Sequence, residues 1–343
     1  MTLPVSAAWP ADALPETRSA ALSRAARDAA GSIRRSLDLV EEATSTIGVL
    51  ERSTAARFFS GLGALAAGDV TVARVVEPHL DALGILGQSG GTARPGSRWG
   101  VFAAEAPGVR LDASPTADGT WVLDGTKAWC SLASRLSDAL VTAHTPDGRR
   151  RLFRVSLGGD GVTTHDDSWK ARGLPLIPSG PVDFADVPAE PVGDPGWYVD
   201  RPGFAWGGIG VAACWWGGAV GLVEALLVNA RRARDSDLAL AALGAATVDL
   251  AIAERAIADA AREIEEGDAE GRRGAVLAQL VRSTVRSRVD AIRSRAVATL
   301  GPAPLTADEG YLARVADLEL YVLQDHGERD LARLGRMLLD GAA

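Results

Sequence analysis

Apolar positions recur three and four residues apart between Leu14 and Gln88, as at Ile33, Leu37, Val40 and Ile47, and that period predicts helices. Gly61, Gly63 and the pair Gly68-Asp69 read as breaks, with Asp69 as the N-cap of a helix over Val70 to Gly84. The Gly/Pro-rich run from Gln88 to Ser97 then marks a connector. From Arg98 to Pro188 the period shortens to two. The alternating stretch Thr120 to Leu123, the pair Asp124-Gly125 and the stretch Thr126 to Ser131 predict a hairpin. Ala139 to Ala143 and Arg151 to Val155, joined by Thr145-Pro146-Asp147-Gly148, predict another. Trp169 to Pro178 reads as a bent approach to a last strand over Ser179 to Pro188. Beyond Trp197 the three-four spacing returns, first over the small and aromatic residues Phe204 to Gly221, then over Leu222 to Arg234, Asp237 to Glu265 and Gly274 to Leu300. The expected fold class is α+β: an N-terminal helical domain over 1–92, a central β-barrel-like domain over 93–196 and a C-terminal four-helix bundle over 197–343.

Composition narrows the classes of function. The chain has 343 residues, 47% hydrophobic and 23% charged, which suits a globular protein with a real core. Its net charge of -8, with 36 basic residues dispersed along it, argues against nucleic acid as a partner. Cys130 and Cys214 lie far apart and have no metal-ligand spacing, which fits a reducing compartment. No apolar run reads as long enough for a membrane span, and Trp9-Pro10 followed by Asp12 and Glu16 lacks the order of a signal peptide, so the expected location is cytoplasmic. No metal is expected. His79 reads as a solvated or capping histidine, and His165 with Asp166 and Asp167 as an exposed acidic turn.

Chemistry enters through motifs. Asp124-Gly125-Thr126-Lys127-Ala128-Trp129-Cys130-Ser131 resembles the G-x-K-x-W-x-[ST] run of acyl-CoA dehydrogenases, and Ser179 to Pro188 resembles that family's S-x-x-V-x-F-x-D-V-x-V-P strand. Further likeness lies in Gly217 to Gly221 and Leu300 to Leu305, so the resemblance covers essentially the whole chain. It implies FAD bound beside Trp129 and Ser131, and a homodimer or homotetramer built on the C-terminal helices, or a heteromer. Three departures stand out. Ala104 occupies the Thr position of the T-E-P-x-x-G-S-D segment, of which Glu105 is kept and G-S-D is missing. Arg231 to Asp237 stands where R-x-Q-F-G is usual. The Y-E-G-T segment that supplies the family's base is replaced by Tyr321-Val322-Leu323-Gln324-Asp325-His326-Gly327.

Removing an α-proton while hydride leaves the β-carbon needs a carboxylate, and Asp325 is the nearest substitute for the missing Glu. The bland reading of Asp325 to Asp330 is a solvated, charged helix face. Three functions follow from the resemblance. One is α,β-dehydrogenation of an acyl thioester or related activated acid, with an electron-transfer partner. Another is a flavin-dependent oxygenase of the same fold, which uses oxygen and needs no such base. The last is a catalytically silent subunit of a heteromeric dehydrogenase.

Overall fold

A computed structural model describes residues 8–340. Helices α1 (Glu16–Ala29), α2 (Ile33–Asp38), α3 (Val40–Ile47), α4 (Ala55–Gly68) and α5 (Val70–Gln88) come first. Strands β1 (Trp99–Phe102), β2 (Leu111–Pro115), β3 (Trp121–Lys127), β4 (Asp138–His144), β5 (Arg150–Ser156), β6 (Val162–Thr164) and β7 (Val182–Val192) follow. The chain ends in α6 (Trp197–Asp200), α7 (Pro202–Arg232), α8 (Asp237–Glu266), α9 (Gly271–Leu300), α10 (Pro302–Ala307), α11 (Glu309–Tyr321) and α12 (Glu328–Leu339). These elements form two compact units. One comprises the residues up to Arg74, Arg172–Leu174 and those from Ala205 onward; the other comprises Val75–Ala171 and Pro175–Phe204.

The helical unit joins the two ends of the chain. Asp69 caps α5 by accepting from the Val72 amide at 2.9 Å, as its position before the apolar run predicts. Gly61 and Gly63 are not breaks: α4 runs through both. A Cβ at Gly63 would lie within 2.5 Å of the Trp216 ring, so the glycine serves close approach of α4 to α7. Arg314 of α11 donates to the carbonyls of Ala66, Ala67 and Gly68 at the end of α4, and to that of Gly218 on α7. α7 also corrects the membrane expectation. It is one unbroken helix of 31 residues whose most apolar window has a mean hydropathy of 1.7, enough to span a membrane by length and composition alone. In this structure 56% of that window is buried, with Ile209, Ala212, Trp215 and Leu222 inside the helical unit.

The second unit is a barrel. Strands pair in the order β1-β4-β2-β3-β7-β5, β6 pairs β7, and the β4–β5 pairing closes the ring. Alternation sends Val141, Phe153, Val182 and Phe184 into the barrel, while Leu140, Leu152 and Trp99 face outward onto Ala82, Ile85 and Leu86 of α5. Asp147-Gly148 turns β4 into β5. Asp124-Gly125 makes no hairpin. β3 passes straight through it, and the β2–β3 turn lies earlier, where the Thr116 amide donates to the Thr120 carbonyl at 2.8 Å. Gly125 has φ +114° and sits where the β3–β7 register shifts, so the pair forms a bulge. The same requirement for positive φ serves a turn or a bulge, and partners on β2 and β7 decide between them.

His79 departs from expectation too. It is 6% exposed, and its Nδ1 accepts from the Trp99 amide at 3.2 Å. Burial, with a smaller effect from the Arg98 charge, pushes its pKa down to about 4.

Candidate functional site

Past β3 the chain enters a strap, Ala128 to Leu132, in which two non-glycine residues take the left-handed conformation: Trp129 at φ +62° and Leu132 at φ +60°. Such backbone persists only where neighbours fix it. Here the Cys130 amide donates to the Gly180 carbonyl at 3.0 Å and the Leu132 amide to the Pro178 carbonyl at 2.8 Å. The Ser131 and Ser179 hydroxyls bond at 2.8 Å. Cys130 turns inward, and burial raises its pKa to about 12, so it is a packing thiol with no nucleophilic character. The result is that Trp129 stands 55% exposed, the most exposed of the Trp, Tyr and Phe side chains among the described residues.

Lys127, the residue before the strap, is 2% exposed and points into the barrel. Its Nζ donates to Glu105 at 2.6 Å and to the Thr142 hydroxyl at 2.9 Å. Burial favours the neutral amine and lowers the Lys127 pKa, with Glu105 opposing it. Burial alone would raise Glu105, yet the Lys127 hydrogen bond and the charges of Lys127, His144 and Arg150 hold it below the usual carboxylate range. The ion pair thus anchors the strap's entry to the end of β1. Ala104 is exposed beside it and contributes no hydroxyl.

On the outer face of the β3–β7 ladder, Asp183 accepts from Thr126 at 2.6 Å and pairs with His165 Nε2 at 2.7 Å. Those two bonds, in that order of strength, lower the Asp183 pKa. His165 is therefore a strand-side partner of Asp183, and Asp166 accepts from Ser134 at 2.5 Å.

Asp325 belongs to the helical unit. His326, Glu328 and Arg329 are exposed, as the solvated reading expects, and Asp330 is 9% exposed, but Asp325 is only 1% exposed, which corrects that reading at the carboxylate itself. Its Oδ1 accepts from Arg286 at 3.0 Å and from the Gly327 amide at 2.9 Å, and its Oδ2 accepts from Gln279 at 3.2 Å. The carboxylate thus holds the turn into α12 onto α9. The structure unites Trp129 and Ser131 on one strap and places Asp325 in the other compact unit. Sequence reading missed Ser179 as the partner of Ser131 and Thr142 as that of Lys127, because Ser179 lies in the loop before β7 and Thr142 on β4, both brought near only by the fold.

No protein-family model matches the chain. Over 89 residues it is 38% identical to a dibenzothiophene monooxygenase of Rhodococcus erythropolis, a match spanning 24% of this chain and only 21% of that protein. Over nearly its whole length it superposes on FMN-bound TdsC of Paenibacillus sp. A11-2, with a TM-score of 0.81, 18% identity and coverage of 94% of this chain and 96% of that one. It likewise superposes on KijD3 in complex with FMN and a dTDP-linked amino sugar, with a TM-score of 0.80, 18% identity and coverage of 98% and 96%. Methanesulfinate monooxygenase MsuC of Pseudomonas fluorescens gives a TM-score of 0.78 at 18% identity, with coverage of 96% and 97%. The chain has the acyl-CoA dehydrogenase-like fold. Its named neighbours of that fold include monooxygenases.

Proposed function

We propose that this protein is a flavin-dependent monooxygenase acting on a small aromatic compound. The observation that carries this is the exposed Trp129 indole, held on strained backbone beside Ser131. A half-exposed indole costs apolar hydration unless a flat partner covers it, and an isoalloxazine ring is such a partner. Trp129 would hold the ring by stacking, and the Ser131 hydroxyl, positioned by Ser179, would bond its polar edge. When bound, reduced flavin supplies two electrons to O2, so that one oxygen atom enters the substrate and the other leaves as water. The strap's fixed backbone keeps the indole from relaxing into the barrel.

FMN suits this chain better than the FAD implied by the family motifs. The partner-side loop that touches FAD is replaced by Arg231 to Asp237, and two structures of the same fold hold FMN. An aromatic substrate is supported by the partial likeness to a dibenzothiophene monooxygenase and by the indole-bound form of TdsC. Dehydrogenation with Asp325 as base has less support, since both carboxylate oxygens already serve Arg286, Gln279 and Gly327. An assembly on the C-terminal helices is proposed with this reading, since Leu238, Val248 and Ile252 of α8 are 84%, 59% and 40% exposed.

Titration with FMN, followed by visible absorbance, tests the cofactor. Wild-type protein should bind it, and Trp129→Ala should weaken binding about tenfold, roughly 1.4 kcal/mol, without loss of fold. With reduced FMN and O2 the protein should convert indole or dibenzothiophene to a product carrying one added oxygen atom, read by mass spectrometry, and folded Asp325→Asn should retain this conversion. Acyl-CoA-dependent bleaching under anaerobic conditions, lost in Asp325→Asn, would replace this reading with dehydrogenation.

A further inference from the structure

The barrel unit contains a cleft of about 540 Å³ that none of the roles above uses. One side of it is basic. Arg149, Arg150 and Arg151 are consecutive at the start of β5 and all reach it. Arg149 Nη2 donates to the Pro195 carbonyl, and Arg151 Nε to the Gly193 carbonyl at 2.8 Å. Carbonyls orient a guanidinium without neutralising it. Arg150 lies 3.7 Å from Glu105, a carboxylate already bonded to Lys127 at 2.6 Å and 3.6 Å from His144. Two further acids stand near: Asp147 accepts from the Arg149 amide at 3.2 Å, and Asp200 lies beside Gly196. Three guanidiniums and the Lys127 amine thus meet three carboxylates, and the carboxylate nearest the guanidiniums is committed to that buried lysine.

The opposite side is apolar. Tyr198 and Phe204 meet edge to face at 5.3 Å and 76°. Phe204 is 42% and Val199 46% exposed, so ring surface faces the opening uncovered. Ala103 and Ala104 also line the cleft and carry no bulk, and Thr142 adds a hydroxyl to the lining. This volume falls in the range of small-molecule sites.

We propose that this cleft binds a phosphorylated ring compound, its phosphate held by Arg149 and Arg150 and its ring laid against Tyr198, Val199 and Phe204. The Arg149 guanidinium is fixed by the Pro195 carbonyl and Arg150 stands next to it in sequence, and guanidiniums meet a tetrahedral oxyanion with paired N–H donors. The proposal uses residues of one unit and stands whether or not flavin binds. Two sources carry this chemistry: the phosphate of FMN itself, and that of a second ligand.

Isothermal titration with 1-naphthyl phosphate and with 1-naphthol tests it, on full-length wild-type protein and on the double variant Arg149→Ala/Arg150→Ala. The phosphate ester should bind wild type about tenfold more tightly than the alcohol, and the double variant should lose that difference. Ala104→Trp, which adds bulk to the cleft lining at an exposed position, should also abolish binding and guards against a folding defect in the double variant. Binding should weaken as salt rises. If FMN displaces the ester, the phosphate site serves the flavin; if the ester binds undiminished to FMN-saturated protein, it serves a second ligand. Equal affinity for ester and alcohol in wild type, or unchanged ester affinity in folded double variant, overturns the proposal. Visible absorbance read on the same samples reports flavin binding separately.

Discussion

At the scale of single residues, a dry histidine sets a pH dependence. His79 titrates near 4 in the folded chain because burial opposes its charged form, whereas an unfolded histidine titrates near 6.5. Between those values the unfolded state binds the extra proton, so stability is full above about pH 6.5 and is lost as pH falls toward 4. The loss amounts to about 3 kcal/mol at most. His79→Asn, whose amide oxygen takes the place of Nδ1 as acceptor for Trp99, should flatten this dependence. Denaturant midpoints at pH 7 and pH 5 check it, and an undiminished drop in the variant refutes it. The sequence displays His79 beside Asp81 but not its burial, since the Trp99 amide it serves comes from a strand after the connector. Trp129 was legible from its motif. Its positive φ was not, because the hydrogen bonds that impose it come from Pro178 and Gly180, some fifty residues on.

At the scale of elements, Gly125 carries the bulge that starts β3 toward the strap. Its φ of +114° is open to glycine alone, and a Cβ would collide with the Arg110 carbonyl oxygen. Gly125→Ala should therefore cost about 2–4 kcal/mol, while Asp124→Ala, at an exposed position, should change stability by less than about 1 kcal/mol. Thermal melts of the two variants distinguish this from a simple turn, where the aspartate would also matter. Helix existence was readable from three-four spacing, and α8 and α9 begin and end within a few residues of expectation. What spacing does not encode is the purpose of a small residue: Gly61 and Gly63 look like stops, and become contact points only once Ile47 and Trp216 are known to face them. The apolar length of α7 likewise takes its meaning from the helices that cover it.

At the scale of the molecule, Arg314 ties remote parts of the chain together. Its guanidinium satisfies carbonyls at the end of α4 and on α7, and burial lowers its pKa against the opposing charges of Asp69 and Glu224. Arg314→Met keeps the length but strands those carbonyls, and should cost about 3 kcal/mol in chemical denaturation. A loss below about 1 kcal/mol would mean that water replaces it. The alternation of helical and strand periods made the α+β architecture visible in advance, whereas the union of both chain ends in one unit depends on contacts that no local pattern displays.

That union has a temporal side. The apolar faces of α4, with Phe58, Phe59, Leu62 and Leu65 wholly enclosed in the finished protein, meet α1 and α3 early but complete their cover only with α7 and α8, after residue 205. Roughly 130 residues must be translated in between, on the order of ten seconds at ordinary ribosomal speed. During that interval the earliest helices hold only part of their final cover, so a chain truncated before residue 205 should bind a hydrophobic dye that the full chain excludes.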